Sequence, residues 1–430
     1  MAQVESSAPH FDSVVTGHLM RTLVIAAEYP WPVNSGSRIR LSSTLRGLRS
    51  CGSIELFSVV SDKRADFAPP PPDLGIERFA RVAIDDGPQN PVRFVQSLAR
   101  VQTPFELPIR AGERVLGSLR SFIQGSYDLV WCFRVRAWVL AREPAFAPVV
   151  VDLDDLEDEK IRARISIPRD LPGPTGAIRK VASRLLWAEE IRRWRHLHHE
   201  IARRSTMTVV CSDLDAQRAG LHGVRVLPNG YEQPEVPPGG HAKASLPPPH
   251  PTVLFQGTLR YPPNADAARF LVRDVVPKLK CLVDDVRVRL VGLPAPDLKA
   301  LDDPPTVSIV GQVPDIDDEL AVADVVIVPL RFGSGTRVKI LEAFAHQVPV
   351  VSTTLGAEGL DAENGVHLLI ADDADGLARA CSDLLGQPAL RAKLVANARS
   401  LFESRYEASI IDAEVARIAL DAVGSSGERS

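Results

Sequence analysis

The stretch that decides the fold is residues 324–360, which read DVVIVPLRFGSGTRVKILEAFAHQVPVVSTTLGAEGL. Residues 325–328 form a continuous β-branched run, which is typical of a strand buried on both faces of a parallel sheet. Pro329 ends this strand, and residues with helical periodicity follow until a second apolar run near Val350. The stretch therefore predicts a strand, a turn, a helix and a second strand.

A glycine turn joins the first strand to the helix. Gly333 and Gly335, on either side of Ser334, allow backbone conformations that other residues avoid, and Thr336 is expected to cap the helix. In an open α/β sheet, ligands bind where a helix begins beside the carboxyl end of a strand, because free N–H groups and the helix dipole attract anions there. The turn therefore predicts a phosphate-binding site.

The helix after the turn carries charged residues on one stripe and a core face of apolar residues on another. Lys339 and Glu342 share the charged stripe, and Arg337 comes just before it. A nucleotide sugar requires cations for its diphosphate and, about one turn further on, a carboxylate that accepts hydrogen bonds from two ribose hydroxyls. The alternative is a solvated helix face with an ordinary Lys–Glu pair.

At these residues the sequence resembles glycosyltransferase family 4, whose members have the GT-B fold. The family helix reads L-E-A-x-A-x-G-x-P-V-V, and residues 341–351 here read LEAFAHQVPVV. The resemblance implies that Glu342 holds the donor ribose. A subgroup with a G-x-G-T-R-x-K-I-L-E-A turn is closer still, and the match extends through residues 356–360, which adds Glu358 to the donor-binding candidates.

The chain departs from the family pattern at two positions. The family's E-x7-E motif has its first Glu eight residues before Glu342, where this chain has Ser334. Gln347 stands where a glycine usually precedes the Val-Pro pair. The resemblance therefore leaves open how the sugar itself is gripped, and Ser334 stays among the donor-binding candidates.

Length and composition predict a globular protein of two domains. At 430 residues the chain exceeds what one hydrophobic core usually supports. It has 45% hydrophobic and 24% charged residues, and 50 basic against 54 acidic residues give a net charge of -4. This balance provides no global field for nucleic acid, so we expect no nucleic-acid partner and local recognition of small ligands.

The cysteines and the apolar segments predict a cytoplasmic location, with the inner face of the membrane as an alternative. The five cysteines are an odd number without a C-x-x-C motif, which favours free thiols and argues against a zinc site. Residues 1–19 are polar and are expected to be a disordered lead, and no apolar stretch reaches the ~18 residues of a membrane helix.

Residues 20–230 predict a first Rossmann-like domain that holds the acceptor. Strands at about 22–27, 54–60, 79–84, 128–133 and 148–152 alternate with helical stretches, as in a parallel sheet. Residues 35–37 open a helix with a second anion-ready start. The resemblance implies that Gly36, Ser37 and Arg38 face the donor phosphates and the acceptor; the alternative is an ordinary strand-to-helix connection.

Two further features of this domain each allow a functional and a structural interpretation. Asp152 and Asp154 form a D-x-D pattern, which could bind Mg or Mn, but carboxylates at a helix start are expected from the dipole alone. We expect the helix-start role and no metal. Residues 175–205 predict a helix rich in Arg, Trp and His, which either rests on an anionic membrane or, as we expect, is a solvated helix covering the sheet.

Residues 231–250 are dense in Pro and Gly and predict a linker to a second Rossmann-like domain over 251–405. The family resemblance places donor-phosphate contacts in its first loop, where Arg260 is the cation and Asn264 is a polar contact or an N-cap. It also places Val313 beside the nucleobase. Residues 406–430 are expected to be a terminal helix that crosses back to the first domain, with a tail.

Together these features predict a GT-B glycosyltransferase that moves a sugar from a nucleotide diphosphate sugar to a glycan, lipid-linked or small-molecule acceptor, without a metal. The resemblance implies retention of anomeric configuration without a protein nucleophile. Arg260, Arg337 and Lys339 are then the candidates to stabilise the charge that develops on the departing diphosphate. The alternatives are a GT-B-fold nucleotide-sugar epimerase and a noncatalytic nucleotide-sugar-binding subunit. Ser334, which stands in place of the family glutamate, is the reason to keep the noncatalytic alternative.

Overall fold

The structure is a computed structural model that describes residues 19–33, 35–60, 68–84, 103–105, 107, 112–165, 174–234, 250–333, 335 and 337–427. Within these ranges the strands form two sheets, one of seven strands and one of six, and all paired strands run parallel. The first sheet contains β1 (Met20–Ala26), β2 (Gly52–Val60), β3 (Ile76–Ala83), β4 (Leu129–Phe133), β5 (Val149–Asp152), β6 (Met207–Val210) and β7 (Val224–Val226). The second contains β8 (Thr252–Gln256), β9 (Arg287–Val291), β10 (Val307–Gly311), β11 (Val325–Val328), β12 (Val350–Ser352) and β13 (Leu369–Ile370).

Both sheets are doubly wound. Their strand orders are β3-β2-β1-β4-β5-β6-β7 and β10-β9-β8-β11-β12-β13, so the order reverses beside β1 in one sheet and beside β8 in the other. Ligands bind outside the carboxyl ends of strands at such points. The helices of the first half are α1 (Gly36–Arg49), α2 (Gly112–Phe122), α3 (Val135–Leu140), α4 (Glu157–Ile165), α5 (Pro174–Arg204) and α6 (Asp213–Ala219).

The second half adds helices around its sheet and one that returns to the first half. They are α7 (Pro262–Phe270), a π-helical turn (Leu271–Val275), α8 (Val276–Lys280), α9 (Asp317–Val322), α10 (Val338–Ala345), α11 (Ala374–Gly386), α12 (Pro388–Arg405) and α13 (Ala408–Gly427). Helices α12 and α13 are separated at Tyr406 and Glu407, and Glu407 bridges to Tyr231.

The last helix packs against the first domain. Ile411, Val415 and Ile418 of α13 are buried in one cluster with residues of β1 and α1. The fit is close, because a Cβ atom at Gly47 of α1 would overlap the backbone oxygen of Asp412. The expected crossover to the first domain is confirmed, as is the GT-B arrangement of two Rossmann-like domains.

The central stretch folds as a strand, a turn, a helix and a strand. All four residues of β11 are buried, as expected for an inner strand. The helix begins at Val338, with Arg337 at its N-cap position, and the expected cap at Thr336 falls on a residue outside the described ranges. The side chains of Ser334 and Thr336 lie outside the described residues, as do residues 1–18 of the expected lead and 235–249 of the expected linker.

Candidate active site

The start of α10 lies directly opposite the start of α1. The turn before α10 depends on glycine, because φ is 129° at Gly333 and 81° at Gly335, where L side chains are strained. From the first domain, Gly36 opens α1, and a Cβ atom at Gly36 would lie 3.3 Å from Cγ2 of Val338. Two helix N-termini therefore converge on one cleft, and each favours an anion.

Lys339 points into this cleft from the first turn of α10. Its Nζ donates to Oδ1 of Asn264 at 2.9 Å and lies 4.6 Å from the centre of the Phe255 ring. Burial, and then the nearby Arg337, lowers the pKa of Lys339 to about 7. Since no described ion pair joins Lys339 to Glu342, the interpretation as a solvated surface pair is wrong.

Glu342 lies one turn further along the same face and is held by a residue of β8. Nε2 of Gln256 donates to Oε2 of Glu342 at 3.3 Å and lies 3.4 Å from the Lys339 backbone oxygen. Burial raises the pKa of Glu342, while the Gln256 hydrogen bond and Lys339 act in the opposite direction. Among the described groups, Oε1 of Gln256 is buried without a hydrogen-bond partner.

Gln256 was not predicted from the sequence as a site residue. The signal that could have found it is a polar residue at the carboxyl end of an otherwise apolar strand, in TVLFQ. Gln256 is only 3% exposed, and its Nε2 group is directed at Glu342 and the Lys339 backbone. Its role is to fix the orientation of the Glu342 carboxylate.

Arg337 lies at the mouth of the turn and is buried. Burial lowers its pKa, and four groups oppose this shift: Asp155 first, then Tyr261, Glu358 and Asp215. Two of these acids, Asp155 and Asp215, belong to the first domain. Arg337 therefore interacts electrostatically with both halves of the molecule.

The first loop of the second domain contributes one expected residue and not the other. Asn264 does not cap α7, since that helix begins at Pro262 with Tyr261 at the N-cap position. It is instead the partner of Lys339, and its Nδ2 donates to the backbone oxygen of Thr258 at 3.1 Å. Arg260 is exposed and its Nε donates to the backbone oxygen of Pro294 at 3.2 Å, so no described contact brings it to the other cations.

The remaining candidates lie at two other places in the structure. Val313 is half-buried against the core of the second domain, just after β10. Oγ of Ser37 lies 3.4 Å from Oγ of Ser35 beside the start of α1. Nη1 of Arg38 donates to the backbone oxygen of Pro32 at 3.0 Å.

Glu358 forms an ion pair with Arg218 of α6 in the first domain. The expectation from the resemblance was a donor contact. In the structure, Glu358 links the two domains through this pair.

Comparison with known proteins agrees with this architecture. The family model described as Glycosyl transferases group 1 matches residues 250–387. Over 175 residues, 39% of the chain, the sequence is 32% identical to a phosphatidyl-myo-inositol mannosyltransferase of Mycolicibacterium smegmatis. That match spans 44% of the relative, less than half its length.

Solved structures resemble the chain over nearly its whole length. Sucrose-phosphate synthase from Thermosynechococcus elongatus has a TM-score of 0.67 at 15% identity and covers 94% of this chain and 99% of its own. Anabaena HepE in complex with UDP-glucose has a TM-score of 0.62 at 16% identity, covering 94% and 100%. WaaG, a glycosyltransferase involved in lipopolysaccharide biosynthesis, has a TM-score of 0.59 at 13% identity, covering 92% and 98%. The chain has the GT-B fold of glycosyltransferases.

In this GT-B chain the D-x-D carboxylates do not serve a helix start. Asp152 accepts two hydrogen bonds of 2.9 Å from Arg40, and Asp154 accepts from Nε and Nη2 of Arg134 at 3.0 and 2.9 Å. The next helix begins only at Glu157, so the helix-start interpretation is wrong. The physical reason is that these carboxylates are buried and each is neutralised by an arginine.

One group of side chains has the composition of a cation site. Asp154, Asp155 and Cys211 place ligand atoms within 4.8 Å of one another. Asp154 is already paired with Arg134, and Asp155 lies 3.2 Å from Nζ of Lys160. Both carboxylates are thus engaged by protein cations, and a metal ion would have to displace them.

The long helix α5 covers the first sheet. Ile191, Trp194 and Ile201 are buried in the core of that domain. Its cations are paired along the helix and with neighbours, as in Arg192–Glu189 and Arg195–Asp158. This packing favours the interpretation as a covering helix. Across the described residues, none of the helices combines the length and the apolar composition that a bilayer crossing requires.

Proposed function

We propose that the protein transfers a sugar from a nucleotide diphosphate sugar to an acceptor hydroxyl, with the donor bound mainly by the second domain. The observation that carries this proposal is the pair of Lys339 and Glu342, which lie partly buried on one face of α10. Lys339 suits the diphosphate, and Glu342, oriented by Gln256, suits the two ribose hydroxyls.

The chemistry of transfer then depends on stabilising the leaving group. As the glycosidic bond lengthens, negative charge grows on the nucleotide diphosphate, and Lys339, Arg337 and the helix N-termini at Val338 and Gly36 offset it. Arg260 has a smaller part in this proposal than the sequence suggested, because it is exposed and turned to Pro294. We propose transfer with retention of configuration and without a divalent metal.

The acceptor is proposed to enter from the first domain, opposite α10. Its chemical class is a hydroxyl-bearing glycan, lipid-linked glycan or small molecule. Donor identification comes first, because a ligand that binds only the folded protein raises its melting temperature. UDP-, GDP-, ADP- and dTDP-linked hexoses form the panel, and UDP-glucose is a natural first member since it is bound in the HepE structure.

The decisive experiment combines that screen with a transfer assay. The parent protein is expected to gain melting temperature with one nucleotide class and to transfer the labelled sugar to an added acceptor. Conversion of the sugar without any acceptor would favour an epimerase. Binding without either reaction over a broad acceptor panel would favour a noncatalytic subunit.

A further inference from the structure

The order of groups along α10 fixes where a bound donor would place its sugar. A nucleotide diphosphate sugar is a linear ligand with ribose, diphosphate and sugar in sequence. With the ribose at Glu342 and the diphosphate at Lys339, about 4.5 Å nearer the helix start, the ligand runs toward the N-terminus of α10. The sugar then lies at the turn that contains Gly335.

A carboxylate of the other domain occupies the edge of that position. Asp155 follows β5 in the first domain, and a Cβ atom at Gly335 would overlap Oδ1 of Asp155. The carboxylate therefore lies directly against the backbone of the donor turn, and glycine is required there both for this approach and for its φ of 81°.

Asp155 is held in place but is not saturated. Its Oδ2 lies 3.2 Å from Nζ of Lys160, and its side chain remains 22% exposed. A carboxylate offers about four lone-pair directions, so Oδ1 can accept further hydrogen bonds on the cleft side. Nζ of Lys160 also lies 3.1 Å from Oε1 of Glu157, and this second contact holds the lysine beside Asp155.

We propose that Asp155 binds hydroxyl groups of the sugar that is transferred, so that the donor is gripped by a carboxylate from each domain: Glu342 on the ribose and Asp155 on the sugar. This inference rests on the proposed function. It assigns to the first domain a residue that selects the sugar, and it makes the complete donor site depend on both domains.

A competing role for Asp155 is to hold the domains together through the positive charge of Arg337. The two roles differ in what the ligand reports. A sugar-binding carboxylate affects the nucleotide sugar and spares the nucleoside diphosphate, which has no sugar at this position. A residue that only links the domains affects both ligands equally.

The test measures dissociation constants of UDP and UDP-glucose, with GDP and GDP-mannose as a second pair, by calorimetry on the full chain. Asp155→Asn is expected to weaken nucleotide-sugar binding about tenfold, since it replaces a charge-assisted acceptor, and to leave nucleoside diphosphate affinity within about twofold. Asp155→Ser is a second variant in case the amide disturbs folding. Glu157→Gln is the matched control, because it removes the other carboxylate on Lys160 and should change neither affinity.

The outcomes separate the sugar role from the proposed function. Three outcomes would overturn the sugar role alone. The Asp155 variants could lose equal affinity for nucleotide and nucleotide sugar, or lose affinity for neither. The third outcome is a parent protein that binds both ligands equally tightly. A parent protein that binds neither the nucleoside diphosphate nor the nucleotide sugar of any of the four classes, UDP, GDP, ADP and dTDP, would contradict the proposed function and the sugar role with it. Selective loss of nucleotide-sugar binding supports both.

Discussion

Lys339 is the residue whose charge state matters most for the proposed reaction. Its ammonium group is partly buried beside Arg337, a neighbour of the same sign, and burial and this neighbour together lower its pKa to about 7. Such an arrangement is unfavourable until an anion arrives. We infer that α10 holds Lys339 in this position at a cost in stability, which a bound diphosphate would offset.

Removal of the Lys339 amine should therefore slow turnover more than it weakens donor binding. Lys339→Ala is expected to lower kcat by about 10² to 10³, by analogy with deletion of a preorganised donor to a developing anion. Steady-state kinetics with the identified donor and acceptor measure this, with the exposed Lys393→Ala as control. A kcat for Lys339→Ala within about threefold of the parent, well under the ~1.4 kcal/mol of a tenfold change, would refute the role.

The lowered pKa of Lys339 also predicts a pH dependence. In the free protein the charged form predominates below about pH 7, so kcat/KM should fall as pH rises through about 7. Lys339→Arg should move this alkaline limb beyond pH 9, because a guanidinium stays charged.

The stability of the free protein changes in the opposite direction: between about pH 7 and 10.5 the unfolded chain binds more protons, so the free energy of unfolding rises with pH. Lys339→Met should lack that rise in urea titrations.

Glu342 and Gln256 act as one unit in donor binding. Glu342→Ala should weaken donor binding by about 2 to 4 kcal/mol, because two hydrogen bonds to a charged acceptor are lost. Gln256→Leu should also weaken donor binding, and should do so less at pH 8 than at pH 6. The hydrogen bond of Gln256 lowers the pKa of Glu342 against the effect of burial, so its loss raises that pKa and shifts the acid limb of donor binding upward.

Calorimetry at both pH values measures the Glu342 and Gln256 effects. A folded Glu342→Ala protein with unchanged donor affinity would contradict the assignment to the ribose. Equal effects of Gln256→Leu at pH 6 and pH 8 would show that Gln256 acts by packing alone.

At the scale of elements, local sequence was enough where the signal was local. The β-branched run of β11, Pro329 and the glycines before α10 predicted a strand, turn and helix that the structure confirms. Contacts between residues far apart in the sequence could not be predicted in this way. The sequence left Asn264 as either a cap or a polar contact, because nothing within its own helix shows that Lys339, 75 residues later, donates to it.

The D-x-D carboxylates were misinterpreted for the same physical reason. Asp152 pairs with Arg40, 112 residues away, through a contact that exists only because the fold brings α1 beside the carboxyl end of β5. Sequence spacing reports neighbours on one helix or strand, whereas ion pairs between elements depend on the topology. Buried charges such as these are therefore assigned reliably only once the fold is known.

The carboxylates that follow β5, Asp154 and Asp155, are paired with Arg134 and Lys160, and this pairing predicts activity without a divalent metal. EDTA should leave turnover within about twofold, since a metal would have to displace Arg134 and Lys160 from Asp154 and Asp155. Activity is measured after chelation and after addition of Mg or Mn. If EDTA abolished activity, Mn restored it, and Asp154→Ala had no Mn-dependent activity, a metal at Asp154, Asp155 and Cys211 would be favoured instead.

At the scale of the whole molecule, residues from both domains meet around the donor turn. Asp155 lies against Gly335, Gly36 lies against Val338, and Arg218 pairs with Glu358. Helix α13 also returns from the second domain to pack on α1. The two domains therefore meet around the donor turn and again where the apolar face of α13 packs on α1 and its Asp412 pairs with Arg46. This arrangement suits a hinge that closes over a ligand.

The Arg218–Glu358 pair allows a test of whether closure contributes to catalysis. Both side chains are partly exposed, so the pair contributes at most ~1 kcal/mol, and Arg218→Gln or Glu358→Gln should lower kcat/KM by up to about fivefold with little change in melting temperature. If the pair acts through closure, the double variant should be no worse than either single one, because both remove the same interaction. The charge-swapped protein Arg218→Glu, Glu358→Arg should recover part of the activity. The contrary outcome is a loss of kcat/KM in Glu358→Gln that does not appear in Arg218→Gln and that the charge swap does not recover. It would show that Glu358 contacts the donor itself, as the family resemblance implies.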